Sequence, residues 1–252
     1  MLPAAFGGGV VATTRRERLR AALDRDLRRS ARRLLVGGGI DAVTLAAIAR
    51  EVGITPPAIY RYYRSRDDLL LALAEDLIGE LVGELRAAAA KFPDERPDQQ
   101  ITAMIRAFPA WATRNRAEFG FVFAAPPPVA GHLHREITEA WTIAVGGAFG
   151  ERYLRLWEQQ PFEVPDESEL EFGLSKQLEG YRSVVRLDPM PLGAILVFVE
   201  CWSRIYASIS FDVFGLLSTP FPDMSVMHER MCRAICERLG ISYELPAAPE
   251  RD

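Results

Sequence analysis

Apolar residues recur at three- and four-residue spacing along nearly the whole chain, and no stretch shows the period-two alternation of a half-buried strand. The pattern predicts an all-α fold. A first long helix is expected over residues 16–36, with Leu19, Leu23, Leu27, Ala31, Leu34 and Leu35 on one face and Gly37, Gly38 and Gly39 as its stop. A short helix follows, capped by Thr44 and ending near Val52 with Gly53 at the turn. The next, over residues 56–63, opens on two prolines, which a first helical turn tolerates. Ser65 and Asp68 have the spacing of a capping pair, and the helix they open, to about residue 91, carries Leu69, Leu73, Leu77, Leu81 and Leu85.

Further helices are expected over residues 98–113, 116–124, 132–160 and 167–181, then from Pro189 and Pro191 to residue 217, and last over 223–239. The proline run at 126–128 and the loop around Pro161 and Pro165 separate them, and the chain after Tyr243 reads as a flexible tail. The organisation implied is a helix-turn-helix domain at 1–70, a larger helical domain at 71–242, and a tail at 243–252.

Charge sharpens this division. Residues 1–70 hold thirteen Arg, no Lys and seven acids, a net +6, whereas residues 71–252 hold 17 basic and 27 acidic residues, a net −10. A basic head on an acidic body fits a polyanion-binding module carried by a part that does not touch the polyanion. No apolar run reaches the roughly 18 residues needed to span a bilayer, and the charges near the start follow the apolar residues, the reverse of a secretory signal. A cytoplasmic chain with no membrane partner is expected. The three cysteines, Cys201, Cys232 and Cys236, have no framework spacing and read as core residues, while His132 and His134 read as surface residues, so no metal or cofactor is expected.

Helix, Gly-rich turn, short helix, Gly-Ile-Thr turn and short helix is the grammar of a helix-turn-helix, in which the third element offers its first residues to the major groove. A plain helical bundle shares that grammar. The stretch from Gly39 through Thr44, Ile48-Ala49, Gly53-Ile54-Thr55, Ile59-Tyr60 and Tyr63-Arg64-Ser65-Arg66-Asp67-Asp68-Leu69-Leu70 resembles the DNA-binding head of the TetR family of regulators. The resemblance implies that Thr44 caps the second helix and meets a phosphate, that Tyr60 gives its phenol to the DNA backbone, and that Arg66 stands at the family's lysine position at a helix start, with its charge toward a phosphate. Ala46, Thr55, Pro56, Pro57 and Ala58 then match the base-reading positions, with Arg61 and Tyr62 beside them. Most of these are small and apolar, which suits thymine methyl groups and leaves Arg61 as the candidate for a guanine. Arg15, Arg16, Arg18 and Arg20 form a candidate basic arm.

The resemblance further implies a ligand-responsive regulator, commonly a repressor, that holds double-stranded operator DNA as a homodimer and answers a small-molecule effector. The last two long helices would form the dimer interface, with Ile195, Val199, Val226, Met227, Met231 and Ile235 on it. The segment from Cys201 to Gly215 is similar to the Trp-His-Gly region of one subgroup, although Ile205 and Tyr206 stand where that subgroup has His and Gly. Aromatic residues crowd the middle of the chain, and Met104, Phe108, Trp111, Phe123, Trp141, Val145, Phe198 and Trp202 are the expected pocket lining. No nucleophile-histidine pairing or phosphate-binding glycine loop stands out, so no enzyme is expected. The rival readings are a helical ligand-binding or scaffold protein that does not bind DNA, and a small-molecule enzyme on a helical bundle.

Overall fold

A computed structural model describes residues 14–124 and 131–244, and all the regular structure within them is helical. The start of the chain before residue 14, the proline connection at 126–128 and the last eight residues, expected as tail, lie outside the described residues. The chain divides into two compact units, Met1–Leu73 and Ala74–Asp252.

The first unit is built from α1 (Arg15–Ala42), α2 (Leu45–Val52), α3 (Pro56–Ile59) and the opening turns of α4 (Arg66–Ala89). Its start is a capping box: Glu17 N–H donates to Thr14 Oγ1 at 3.2 Å, and Thr14 N–H donates to the Glu17 carboxylate at 2.7 Å. The expected stop at Gly37 comes later. Gly37 and Gly38 stay helical, each at a cost of about 1 kcal/mol relative to alanine, and the break falls at Gly39, whose φ of 72° and ψ of −175° no side-chain-bearing residue adopts readily. Leu27, Ala31, Leu35, Val43, Ile48, Ala49, Ile59, Leu69 and Leu70 are buried together as the core of this unit. Two polar ties cross it. Tyr63 Oη donates to Asp24 at 2.6 Å, and Glu51 accepts from Ser30 Oγ at 2.7 Å and Arg33 Nε at 2.6 Å.

The second unit comprises the remainder of α4 with α5 (Pro97–Arg114), α6 (Arg116–Phe123), α7 (Gly131–Gln159), α8 (Phe172–Val184), α9 (Leu192–Val213) and α10 (Ser225–Arg238). α5 packs on α7, α9 and α10, and α8 packs on α9. Nine residues of α9, from Leu192 to Ile209, are buried. The helix is long and apolar enough to cross a membrane, with a mean hydropathy of 1.5 over its most apolar window, and half of that window is buried inside the unit. An eighteen-residue apolar window therefore exists where none was expected, because Glu200 and Arg204 interrupt the run without lowering its average enough.

Two expected boundaries move. The helix expected from residue 167 is a single 3-10 turn at Glu167–Glu169, where the Asp166 carboxylate accepts from Ser168 N–H at 2.8 Å, and α8 begins only at Phe172. α9 ends at Val213, four residues early, because Gly215 takes a φ of 67°. Tyr243, expected at the start of the tail, is packed: its Oη donates to Glu229 at 2.6 Å, and its ring lies 4.6 Å from the Arg233 guanidinium.

Candidate nucleic-acid interface and internal cavity

The short helices of the first unit are set by local chemistry. Thr44 Oγ1 accepts from Ala47 N–H at 3.1 Å and so caps α2. Gly53 ends that helix in the left-handed region at φ 77°, which turns the chain sharply into α3. α3 is one turn long, shorter than expected, and residues 60–62 continue it as turns rather than helix. Pro56 and Pro57 occupy its first turn, where an N–H would lack a helical partner, and Thr55 precedes them with no side-chain cap bond. Thr44, Ala46, Thr55, Pro56, Pro57, Tyr60 and Arg61 are all exposed, Tyr60 to 57%, while Ala58 is half-buried. Tyr62 is also half-buried, and the Arg20 guanidinium lies 5.8 Å from its ring.

Arg66 differs from its expected place. Its Nε donates to the Val43 carbonyl at 2.7 Å and its Nη2 to the Ile40 carbonyl at 2.5 Å. In the absence of DNA the guanidinium closes the α1–α2 turn through Nε and Nη2, a contact to backbone that no sequence pattern announces. Arg15, Arg16, Arg18 and Arg20 are exposed on the first turns of α1, so this part of the candidate arm is helical. Arg50 and Arg64, neither singled out by the sequence, are exposed cations on the same unit.

In the second unit the expected pocket residues form a packed aromatic cluster. Trp141 and Trp202 stack at 5.2 Å between ring centroids, Phe108 lies 5.8 Å from Trp202, and Phe123 lies 5.7 Å from Phe108 and 5.6 Å from Trp141. Phe119 stacks on Phe123 at 5.0 Å, and Tyr206 Oη donates to the Phe123 carbonyl. Phe198 belongs to a second group with Tyr153, at 5.0 Å. Met104 and Val145 are wholly buried, and Trp111, also buried, donates from Nε1 to Glu80 at 3.1 Å.

Beside these rings lies an apolar cavity of about 30 Å³, walled by Ile101, Ile105, Phe149, Tyr153, Phe198, Cys201, Trp202, Ile205, Ile235 and Leu239. Only Phe198 and Trp202 of the expected lining reach it. The other wall residues come from α5, α7, α9 and α10, and only their packing brings them together. Tyr153 Oη is engaged by the Ala194 carbonyl at 2.8 Å, and burial pushes the Cys201 thiol up to about 12.

Asp212 gathers a polar network across α5, α6, α9 and α10. It accepts from Thr113 at 3.1 Å, Arg116 at 2.8 Å and His228 Nε2 at 3.0 Å, and His228 Nδ1 lies 2.9 Å from Ser208 Oγ. Burial works against the Asp212 charge, but the bonds from His228, Arg116 and Thr113 outweigh it and hold the carboxyl below its usual value. A depressed folded value contributes stability above the unfolded value near 3.9 and loses it as pH falls through the folded one. Asp212→Asn is therefore expected to lower Tm at pH 7 and to flatten the fall of Tm below about pH 4. An unaltered acid limb in calorimetric scans would remove this network from the account.

The profile of bacterial regulatory proteins, tetR family, matches residues 27–73, which span α2, α3 and the turns around them. The HTH-type transcriptional regulator Rv1816 of Mycobacterium tuberculosis is 28% identical over 196 residues, covering 73% of this chain and 77% of that protein. These matches give residues 27–73 the character of a tetR-family DNA-binding head. Among solved structures, the regulatory protein SCO4313 superposes with a TM-score of 0.67 at 24% identity, covering 89% of this chain and all of that one. The Thermus thermophilus FadR, a TetR-family repressor solved with lauroyl-CoA, superposes with a TM-score of 0.55 at 17% identity over 90% of this chain and all of that one.

The residues expected at a dimer interface separate into two groups. Ile195 and Ile235 are buried within the protomer, at 0% and 1% exposure, and Ile235 walls the cavity. They cannot contact a second chain. α9 is apolar on nearly every side, so periodicity alone does not separate its inward face from its outward one. Val199, Met227 and Met231 are half-buried, and Val226 is exposed. Met227 and Met231 border an open groove of about 410 Å³ with Arg204, Ala207, Phe211, Arg230 and Ala234, none of which the sequence reading chose. The three cysteines are free and buried, and among the described residues no group of three or more His, Cys, Asp or Glu is placed to hold a metal.

Proposed function

We propose that this chain is a cytoplasmic, homodimeric transcription repressor that grips a palindromic operator through two helix-turn-helix heads and is released by a small apolar effector bound in the body. The observation that carries the reading is the face of α3. Thr55, Pro56, Pro57, Tyr60 and Arg61 stand exposed on a unit of net +6 charge, while Ile59 between them is packed inward. A scaffold without DNA binding has no use for such a face. Thr44 and Tyr60 are assigned to phosphates and Ala46, Thr55, Pro56, Pro57, Ala58 and Arg61 to base edges, with Tyr62 beneath them. Arg66 is assigned to holding the α1–α2 turn. Domain limits near residues 1–70 and 71–242 are part of the same reading.

Gel-shift titration with DNA from upstream of the chain's own gene tests it. Affinity is expected to fall with salt at a log–log slope of about −0.9 per phosphate neutralised. Arg61→Ala is expected to cost about 1–3 kcal/mol on the specific site and to relax preference at one base pair. Tyr60→Phe, which deletes only the phenol oxygen, is expected to weaken specific and nonspecific DNA together by about 1 kcal/mol. Equal affinity of the wild type for operator and scrambled DNA would defeat the proposal. The dimer is assigned to the α9–α10 groove, with Val199, Val226, Met227 and Met231 retained from the sequence reading.

Effector release works through a coupling of about 1–3 kcal/mol between sites, or some 5- to 150-fold in affinity. α4 belongs to both units and is the natural carrier of that coupling. A titration of operator affinity against any ligand that raises the body's Tm measures it, and reciprocity requires the operator to weaken that ligand by the same factor.

A further inference from the structure

The cavity wall contains one irregularity. Nine of its ten residues are buried, and Trp202 alone is half-buried, so it is the most exposed member of the wall. The opposite neighbours of that indole are rings: Trp141, stacked at 5.2 Å and itself half-buried, and Phe108 at 5.8 Å. The space now present, about 30 Å³, is roughly what one water occupies and is far below what an aromatic molecule needs. Entry therefore requires a wall group to move. A half-buried side chain held by ring contacts, and by no hydrogen bond from its Nε1 among those found in the described residues, moves at least cost.

We propose that Trp202 is a displaceable plug and that the effector is an uncharged, planar aromatic molecule of one or two rings, which takes the place of the indole against Trp141 and Phe108. The proposal rests on the regulatory reading above only for its name of effector. The charge restriction follows from the wall itself. Tyr153 Oη is already bonded to the Ala194 carbonyl, the Cys201 thiol is held neutral by burial, and apart from the displaced Trp202 the remaining wall side chains are hydrocarbon, so a carboxylate or ammonium brought inside would lose its water without a partner. The planar restriction follows from the ring faces that the indole leaves behind.

The test uses the full-length chain with indole as the neutral probe and indole-3-acetate as its charged counterpart. Calorimetric titration is expected to show indole binding the wild type at least tenfold more tightly than indole-3-acetate. Trp202→Ala is expected to bind indole at least tenfold more tightly than the wild type, because the plug no longer competes. Trp202→Phe retains a ring, keeps the core filled, and is expected to lie between the two. Wild type that ignores indole while Trp202→Ala binds it overturns displacement, since any truncated tryptophan leaves a hole. Equal affinity for the charged probe overturns the ligand class. Indole binding that meets every expectation yet leaves operator affinity unchanged upholds the site and overturns release by effector instead.

Discussion

Met231→Glu is expected to convert the protein to monomers and to lower operator affinity at least 100-fold. Met231 is half-buried on α10 and borders the groove with Met227, Ala234, Ala207 and Phe211. In an isologous contact the same patch meets itself, so one substitution introduces two carboxylates into one seam. Taking both carboxylates out of water costs several kcal/mol, which Arg204 and Arg230 on the same groove are expected to offset only in part. Because a dimer reads two half-sites about one helical turn apart, a single head retains only weak binding. Light scattering reads the mass, gel shift the affinity, and circular dichroism confirms that the helices survive. A Met231→Glu protein that remains dimeric would place the interface elsewhere. Ile235→Glu, by contrast, is expected to unfold the body, since Ile235 is 1% exposed and walls the cavity. The pair of variants separates loss of assembly from loss of fold.

The second large effect is expected at Arg66. Its two charge-assisted bonds, to the carbonyls of Val43 and Ile40, each contribute about 1.5–3 kcal/mol where they are partly shielded from water, and they hold the turn that feeds α2. Arg66→Ala leaves both carbonyls without that partner and removes the tie between the start of α4 and the end of α1. The expected outcome is a fall of about 2–4 kcal/mol in the stability of the head, read by denaturant titration, with operator affinity falling alongside it. Arg66→Lys restores the charge but not the fork that reaches two carbonyls, and is expected to recover less than half of the loss. The salt dependence distinguishes the two roles available to this side chain. Loss of a phosphate contact reduces the magnitude of the log–log slope by about one unit, whereas loss of a turn-holding contact leaves it unchanged. A stable Arg66→Ala head with a flatter slope would return Arg66 to the DNA.

Much of the fold follows from rules that act over a few residues. Thr44 caps α2 because a hydroxyl three residues before an orphan N–H accepts it, and Ser65 does the same for Asp68 at 3.0 Å. Gly53 turns the chain because only its φ reaches the left-handed region at low cost. The exposed positions of α3 also follow, since prolines at its start and an apolar Ile59 leave one way for the turn to face. The head's net charge needs no coordinates. Local rules fail where two options are both permitted locally: Gly37 and Gly38 can stop a helix or continue one, and tertiary packing carries α1 on to Gly39.

Whatever depends on which faces meet was outside the reach of the chain's pattern. Ile195 on α9 and Met231 on α10 are both apolar at helical spacing, yet one is sealed inside the protomer and the other borders an open groove, because only the neighbours of each helix decide which of its apolar sides is covered. Arg66 looked like a cation for a phosphate, but a guanidinium finds backbone carbonyls that the fold, and not the sequence spacing, sets before it. The aromatic stack was legible as composition and illegible as a site: the cavity is assembled from Ile101, Phe149, Cys201, Ile205 and Ile235, small contributions from four helices distant in the chain. The sequence by itself determined the all-helical class, the basic helix-turn-helix head and the residues on its outer face, since capping, periodicity and charge act between near neighbours. Tertiary structure alone decided which apolar residues form the core, the cavity or the groove, since burial is a property of the surface that a residue meets.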